Sequence, residues 1–212
     1  MIQAAIFDFG RVLADFDFTI ACEKFEKRCK ISAQEIQRIL CGDTSRRVEM
    51  HRAFERGEVA PHDFYGWACK QLGLTDVSER EFFEIFGNIL SSKEGITEVL
   101  EDLGTSLNLF MLSNTNSAQW EYIRRLDVIR RFFGSDNQQV LSFRLGARKP
   151  DGRIYREAVR RTGVSIQECL YVDDIPEFVN AFEQLGGKGV HYNCRHEDVE
   201  ILRERLAELL TH

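Results

Sequence analysis

Proline is scarce in this chain, at three in 212 residues, and no Pro/Gly/Ser-rich tract, internal repeat or low-complexity segment interrupts it. A disordered linker is therefore not expected. Long apolar runs are also missing. Nothing reaches the ~20 residues that a membrane span requires. The N-terminus lacks a basic region followed by an apolar stretch and a small-residue cleavage site. The expectation is a cytoplasmic protein that does not enter a membrane. Positive charge is not in excess either: the formal net charge is -6. That argues against nucleic acid as the main partner, because phosphate backbones favour basic surfaces. The basic pairs Arg46-Arg47, Arg124-Arg125, Arg130-Arg131 and Arg160-Arg161 read mostly as solvated helix faces. The cysteines Cys22, Cys29, Cys41, Cys69, Cys169 and Cys194 include no CxxC pair. Their scatter reads as free thiols in a reducing compartment.

What is present is enough to fold. Apolar residues make up 43% and charged residues 29%, the balance of a globular chain. Its length allows one large domain, or one domain with an insert. Short runs rich in Val, Ile, Leu and Phe occur at 3–9, 107–112, 139–143, 169–172 and 189–192. They suit buried strands of a parallel sheet. Helical patterns lie between them. One over 94–103 is ended by Gly104, and one over 151–162 is opened by Pro150 and closed by Gly163. Two more follow over 176–185 and 196–210. Alternating strand and helix predict an α/β fold, a Rossmann-like three-layer parallel sheet.

Residues from about Phe18 to Leu90 differ. They carry almost no strand pattern and read as five amphipathic helices, around Phe25, Ile36, Phe54, Phe64 and Phe82. Ser78-Glu79-Arg80-Glu81 has the form of a capping box. Some seventy residues of helix are too long for a simple crossover. The expected organisation is an α/β core over 1–16 and 91–212 and an inserted helical-bundle cap over 17–90.

Asp8, Ser113-Asn114, Lys149-Pro150 and Asp173-Asp174 each follow a strand-like stretch. In a parallel sheet such positions share one edge, where ligands bind. A carboxylate, a hydroxyl, an ammonium and an acidic pair are the parts needed to move a phosphoryl group with a divalent cation. Each also has a plainer reading. Asp8 suits a turn, 113–116 could cap a helix near Ser117, Lys149 could lie on the surface, and Asp174 could cap the helix that Pro176 begins. Their joint order favours the shared site.

Here the chain resembles the haloacid dehalogenase (HAD) superfamily. FDFGRVL, MLSNTN, LGARKPDGRIY and YVDDIPEFVNAFEQLG are similar to its four motifs, and the insert looks like its helical cap. FDFGRVLADFDF and FERGEVAPHDFYGWA further resemble a sugar-phosphatase branch that includes α-D-glucose-1-phosphate phosphatase. The resemblance implies an aspartyl-phosphate mechanism with Asp8 as nucleophile. It implies Mg²⁺ held by Asp8, the Gly10 carbonyl and Asp174, with Asp173 acting through water or behind the ligands. Ser113 and the Asn114 backbone N–H would bind the phosphoryl oxygens, and Lys149 would neutralise charge. The implied substrate is a small phosphorylated metabolite, and the implied state a monomer or small homo-oligomer.

One position departs from that pattern. Most phosphatases of the superfamily carry a second Asp two residues after the nucleophile, as general acid and base; here Gly10 stands there. Such help is worth ~10²–10⁴-fold. Asp15 or Asp17 could replace it, a substrate hydroxyl or water could relay the proton, or the leaving group could depart unprotonated, as from an anomeric sugar phosphate. Asp15 and Asp17 also fit a polar loop at a cap hinge. Substrate contacts are expected from the cap: Phe16, Arg46, Arg47, His51 and Trp67, with Trp67 the best suited to cap core. The rivals are a metal-independent dehalogenase, which would lack the acidic pair, and a non-catalytic binding protein.

Overall fold

The computed structural model describes residues 1–42 and 45–211; of residues 42, 45–48 and 211 only the backbone is described. Its centre is a five-stranded parallel sheet. The strands are β1 (Ala4–Phe7), β4 (Asn108–Ser113), β5 (Gln139–Leu141), β6 (Cys169–Asp173) and β7 (Lys188–His191), in the spatial order β5-β4-β1-β6-β7. β1 lies in the middle, with Phe7 level with Met111 on one side and Val172 on the other. Its four residues are all buried, because helices cover both faces. Ala4 and Ile6 join Tyr155, Tyr171 and Phe182 in one core. Ala5 and Phe7, pointing the other way, join Val99, Met111, Val172 and Leu202 in another. The period-2 alternation of the pleat divides one short apolar run between two cores.

The covering helices on the β1 Ala4/Ile6 face are α10 (Gly152–Thr162) and α11 (Pro176–Glu183). The opposite face has α6 (Ile96–Gly104), α7 (Ser117–Ile123), α8 (Asp127–Phe132) and α12 (Val199–Thr211). All five expected strands form. The run at 139–143 stops at Leu141, however, and Ser142–Leu145 turns into a short helix, α9. The cause is polar: the Ser142 hydroxyl leaves the strand line to bond both the N–H and the C=O of Thr115.

Among the described residues of the insert five α-helices form, as the periodicity indicates: α1 (Phe18–Glu26), α2 (Ala33–Gln37), α3 (Ser45–Glu55), α4 (Pro61–Leu72) and α5 (Glu79–Gly87), with a π-helical turn at Arg38–Gly42. They enclose a separate core rich in phenylalanine, in which Phe54 and Phe64 stack with centroids 4.3 Å apart. Ser78 caps α5 by accepting from the Glu81 N–H. Trp67 packs on Phe64 in this core.

Two strands were not apparent from the sequence. β2 (Ala14–Phe16) and β3 (Leu90–Ser92) pair antiparallel, Asp15 opposite Ser91, and the Asp17 N–H extends the ladder to the Ile89 carbonyl. This ribbon is where the chain leaves the sheet for the helices and returns. All six cysteines are free. Among the described residues no helix is long and apolar enough to cross a membrane.

Candidate active site

Asp8, Ser113 and Asp173 stand at the C-terminal ends of the three neighbouring strands β1, β4 and β6. Parallel pairing alone brings them together across more than 160 residues of sequence. Lys149 reaches the same place from the loop before α10. Its Nζ lies 2.5 Å from Asp8 Oδ1 and 2.7 Å from Asp173 Oδ2. The whole lysine is only 1% exposed, so it is a buried double ion pair, not a surface side chain. Asn114 fixes it from behind: its amide oxygen accepts from the Lys149 N–H at 2.8 Å, and its amide nitrogen donates to the Lys149 carbonyl at 3.2 Å.

Asp173 is fully buried and has both oxygens engaged. Oδ1 accepts from the Ile175 N–H at 2.8 Å, and Oδ2 accepts from Lys149 and from the Tyr171 hydroxyl. Asp174 does not cap α11, whose first residue follows Ile175 without a side-chain cap. Instead it stays near the cavity, 3.9 Å from Arg11 Nη1. Carboxylate oxygens of Asp8, Asp173 and Asp174 all lie within 4.8 Å of one another. Three ionised carboxylates outnumber the ammonium among them, and the Arg11 guanidinium stands at the edge of Asp174, so the cluster keeps negative charge that a cation would balance.

The electrostatics follow from burial. Burial pushes the Asp8 carboxyl up to about 7, with Lys149 pulling it down and the Asp173 charge pushing it further up. Burial works against the Lys149 ammonium too, but Asp173 and Asp8 outweigh it and raise its pKa. Asp174 is raised by burial, then by Asp173. Such shifts mark groups whose charge awaits a partner.

These residues open on a cavity of about 770 Å³ between the sheet edge and the inserted helices. Asp8, Gly10, Ser113, Asn114, Lys149 and Asp174 line it, together with Phe16, Asp17 and His51. Asp173 lies behind the wall. Trp67 and Asp15 are not in the lining: Trp67 belongs to the helical core, and Asp15 pairs with Lys93 at 3.1 Å. Asp17 is held by the N–H and hydroxyl of Thr19 as the N-cap of α1. Asp15 thus stands in the β2 strand, not in a polar loop, while Asp17 both caps α1 and faces the cavity. The Arg46 and Arg47 side chains lie outside the described residues. Of the 113–116 stretch only Asn116 caps α7, accepting from the Gln119 N–H.

Several contributors had no visible sequence signal. Arg11 sits at φ 63°, an uncommon left-handed conformation for a side-chain-bearing residue, and places its guanidinium 5.1 Å from the centroid of the Phe16 ring. Tyr171 supports Asp173. Arg148 Nε binds Glu55 Oε2 at 2.9 Å and so joins the residue before Lys149 to α3. The Arg-Lys doublet and the acidic Glu55 were visible, but nothing marked them as partners.

Comparison with known proteins gives one direction. The haloacid dehalogenase-like hydrolase family model matches residues 2–186. A sesquiterpene phosphatase of Aspergillus oryzae is 26% identical over 190 residues, covering 89% of this chain and 89% of that protein. A HAD family enzyme of Bacteroides thetaiotaomicron, solved with magnesium and inorganic phosphate, has a TM-score of 0.78 at 20% identity, covering 95% of this chain and 99% of the other. A HAD-like family hydrolase of Porphyromonas gingivalis has a TM-score of 0.80 at 21% identity, covering 100% and 99%. The likeness to these two solved structures is one of fold.

Proposed function

The chain belongs to the haloacid dehalogenase-like hydrolases, and from that premise we propose that it is a Mg²⁺-dependent phosphatase. It acts through an aspartyl-phosphate on small phosphorylated metabolites, foremost sugar phosphates of the glucose-1-phosphate type. The observation that carries this reading is the buried Lys149 ammonium shared by Asp8 and Asp173, in a cavity that Ser113 and Asp174 also line. The phosphatase relative and the magnesium–phosphate complex of a protein of the same fold point the same way.

The donors fit Mg²⁺. They are hard oxygens clustered at one strand edge, and this ion takes one or two carboxylates and keeps several waters. Asp8, Asp174 and the Gly10 carbonyl would hold it; Asp173, with both oxygens occupied, would reach it through water. When bound, the ion supplies charge cancellation to two anions that must approach each other.

The side chains do the rest. Asp8 attacks phosphorus and carries the phosphoryl group until water hydrolyses it. Ser113 and the Asn114 N–H hold the phosphoryl oxygens. Lys149 neutralises the nucleophile and the transferring group, in a site dry enough to make that charge effective. Residues 1–16 and 91–212 act as the chemical core and 17–90 as the cap, which contributes Phe16's neighbours and His51 to substrate choice. A metal-independent dehalogenase has no use for the Asp173-Asp174 pair, whose retention favours phosphoryl transfer.

The test is hydrolysis of p-nitrophenyl phosphate, followed by a screen of phosphorylated sugars, nucleotides and small acids. Turnover that needs Mg²⁺ and disappears in Asp8→Asn is expected, with sugar phosphates preferred. Halide release without metal, or full activity in Asp8→Asn, would overturn the reading; a preference for nucleoside monophosphates would overturn the substrate class.

A further inference from the structure

The cavity wall beside the nucleophile carries hydrogen-bond donors that nothing in the chain uses. A Cβ at Gly10 would stand 3.0 Å from Phe16 Cε1 and 3.8 Å from Asp8 Oδ2. Ring and nucleophile therefore flank the same small residue, and an alcohol esterified to phosphorus at Asp8 has the ring beside it. Phe16 is 37% exposed and lines the cavity. Arg11 lies against it, with its guanidinium 5.1 Å from the ring centroid. Nη1 of that guanidinium is 3.9 Å from Asp174 Oδ2, and an oxygen of Asp174 lies within 4.8 Å of one of Asp8. Arg11 is thus one group away from the nucleophile along two routes, through Phe16 and through Asp174. Its side chain is 34% exposed and lines the cavity, so a ligand there can touch it.

Among the described residues four arginine and lysine side chains line this cavity: Arg11, Arg148, Lys149 and Arg195. Two are tied to carboxylates. Lys149 donates to Asp8 and Asp173, and Arg148 donates to Glu55. The other two are not. Among the described residues the Arg11 guanidinium makes no hydrogen bond, and its one ion pair, with Asp174, is at the outer limit of such a contact. Arg195 is exposed and has neither hydrogen bond nor ion pair. It stands on the same side of the cavity, because Cys194 Sγ, next to it in the chain, lies 3.8 Å from Asp174 Oδ2, the oxygen that Arg11 faces. The backbone of Arg11 adds a second sign. Its φ of 63° is one that glycine adopts freely and arginine only at a cost, and the turn is held by the Arg11 N–H donating to the Ala14 carbonyl at 2.7 Å. Strain beside a site points to a task for the side chain that it delivers.

We propose that Arg11, with Arg195, binds a second anionic group on the leaving alcohol. The site then selects phosphorylated sugars that carry a carboxylate or a further phosphoryl group over those whose only anion is the phosphate transferred. This rests on the phosphatase reading above and narrows its substrate class. A guanidinium presents five N–H donors in a fixed fork and takes two oxygens of a carboxylate or phosphate at once. Bonds to an anion have charge on both partners and are about twice as strong as those to a sugar hydroxyl. Contact with Phe16 restricts the Arg11 side chain beforehand, which lowers the entropy lost on binding. At about 770 Å³ the cavity has room for a hexose with two such groups.

The experiment measures kcat and KM with Mg²⁺ for three sugars that share the anomeric phosphate and differ at carbon 6: glucose 1-phosphate, glucuronate 1-phosphate and glucose 1,6-bisphosphate. Release of the anomeric phosphate is followed. In wild type at least one of the two doubly anionic sugars should exceed glucose 1-phosphate by about 10-fold or more in kcat/KM, through KM. Which of them does so separates carboxylate from phosphoryl recognition. Arg11→Gly, which suits the left-handed backbone, should remove most of that advantage, and Arg11→Lys should keep part of it. Arg195→Gln, an exposed change, should reduce it on its own. No advantage in wild type, or an advantage that survives Arg11→Gly, would overturn the proposal. So would equal losses on all three sugars, which would make Arg11 a neutraliser of Asp174 instead. Wild type inactive on these sugars and on p-nitrophenyl phosphate would defeat the phosphatase reading itself.

Discussion

Replacing Lys149 with methionine removes the ammonium shared by Asp8 and Asp173. The methionine fills most of the volume, so the loss is one of charge. Breaking a buried ion pair by deleting one partner costs about 3–5 kcal/mol, because the remaining charge is stranded. Here two carboxylates are stranded, and they also repel each other. The molecule has one escape, which is to bind a proton. Asp8 already stands at about 7 instead of 3.8, and without Lys149 it moves higher. A carboxylate whose folded pKa lies above its unfolded value binds more protons when folded. Stability then falls as pH rises between the two values, by ~1.4 kcal/mol per unit for one group. Wild type shares that slope up to about pH 7, where its own Asp8 ionises, so the added cost of Lys149→Met should be smallest below pH 7 and largest at pH 8. For a chain of this size ~1 kcal/mol moves the melting temperature by ~2–4 °C. With EDTA present, that sets a deficit of ~6–20 °C at pH 8. Mg²⁺ should narrow it, since a ligand of the native state at a hundred times its Kd adds ~2.7 kcal/mol. Thermal melting across pH 5–8, with EDTA or Mg²⁺, is the assay. A deficit independent of pH, or none at pH 8, would refute the electrostatic account of this cluster.

Other outcomes follow from the same geometry. Against its burial, Glu55 has a pKa lowered by His51 and then by Arg148, so its contribution is present above the ordinary carboxylate value and is lost as pH falls through the lowered one; acid melting of Arg148→Ala should lack part of that decline, the His51 share remaining. Phe54→Ala empties a stacked site in the helical core and should cost about 3–5 kcal/mol in urea unfolding. A Cβ at Gly87 would meet the Tyr122 ring at 2.4 Å, so Gly87→Ala should push α5 off α7 and raise KM more than it lowers kcat; unchanged steady-state kinetics would count against a closed cap.

The sequence showed most of the chemistry because that chemistry sits at strand ends. Asp8, Ser113 and Asp173 follow apolar runs long enough to register, and parallel pairing then leaves little choice about where they meet. Ile36, Phe54, Phe64 and Phe82 marked their helices by spacing alone. The ribbon of β2 and β3 escaped notice because Ala14-Asp15-Phe16 and Leu90-Ser91-Ser92 are too short to alternate visibly. The turn of Ser142 out of its strand also had no local cause; it answers to Thr115, 27 residues away. Glu55 and Arg148 are 93 apart, and no periodicity connects such distant positions. Their partnership is a product of the fold.

The ribbon also sets how the molecule can move. Both covalent crossings between sheet and helices run side by side through β2 and β3, laced together by main-chain bonds. The bundle is thus suspended from one pivot instead of two separate tethers. Any movement of the bundle relative to the five parallel strands would turn on that ribbon and would have to part the Arg148–Glu55 pair. Phe16 belongs to that ribbon and also lines the cavity beside Gly10, so the joint between the two parts of the chain is itself part of the site wall.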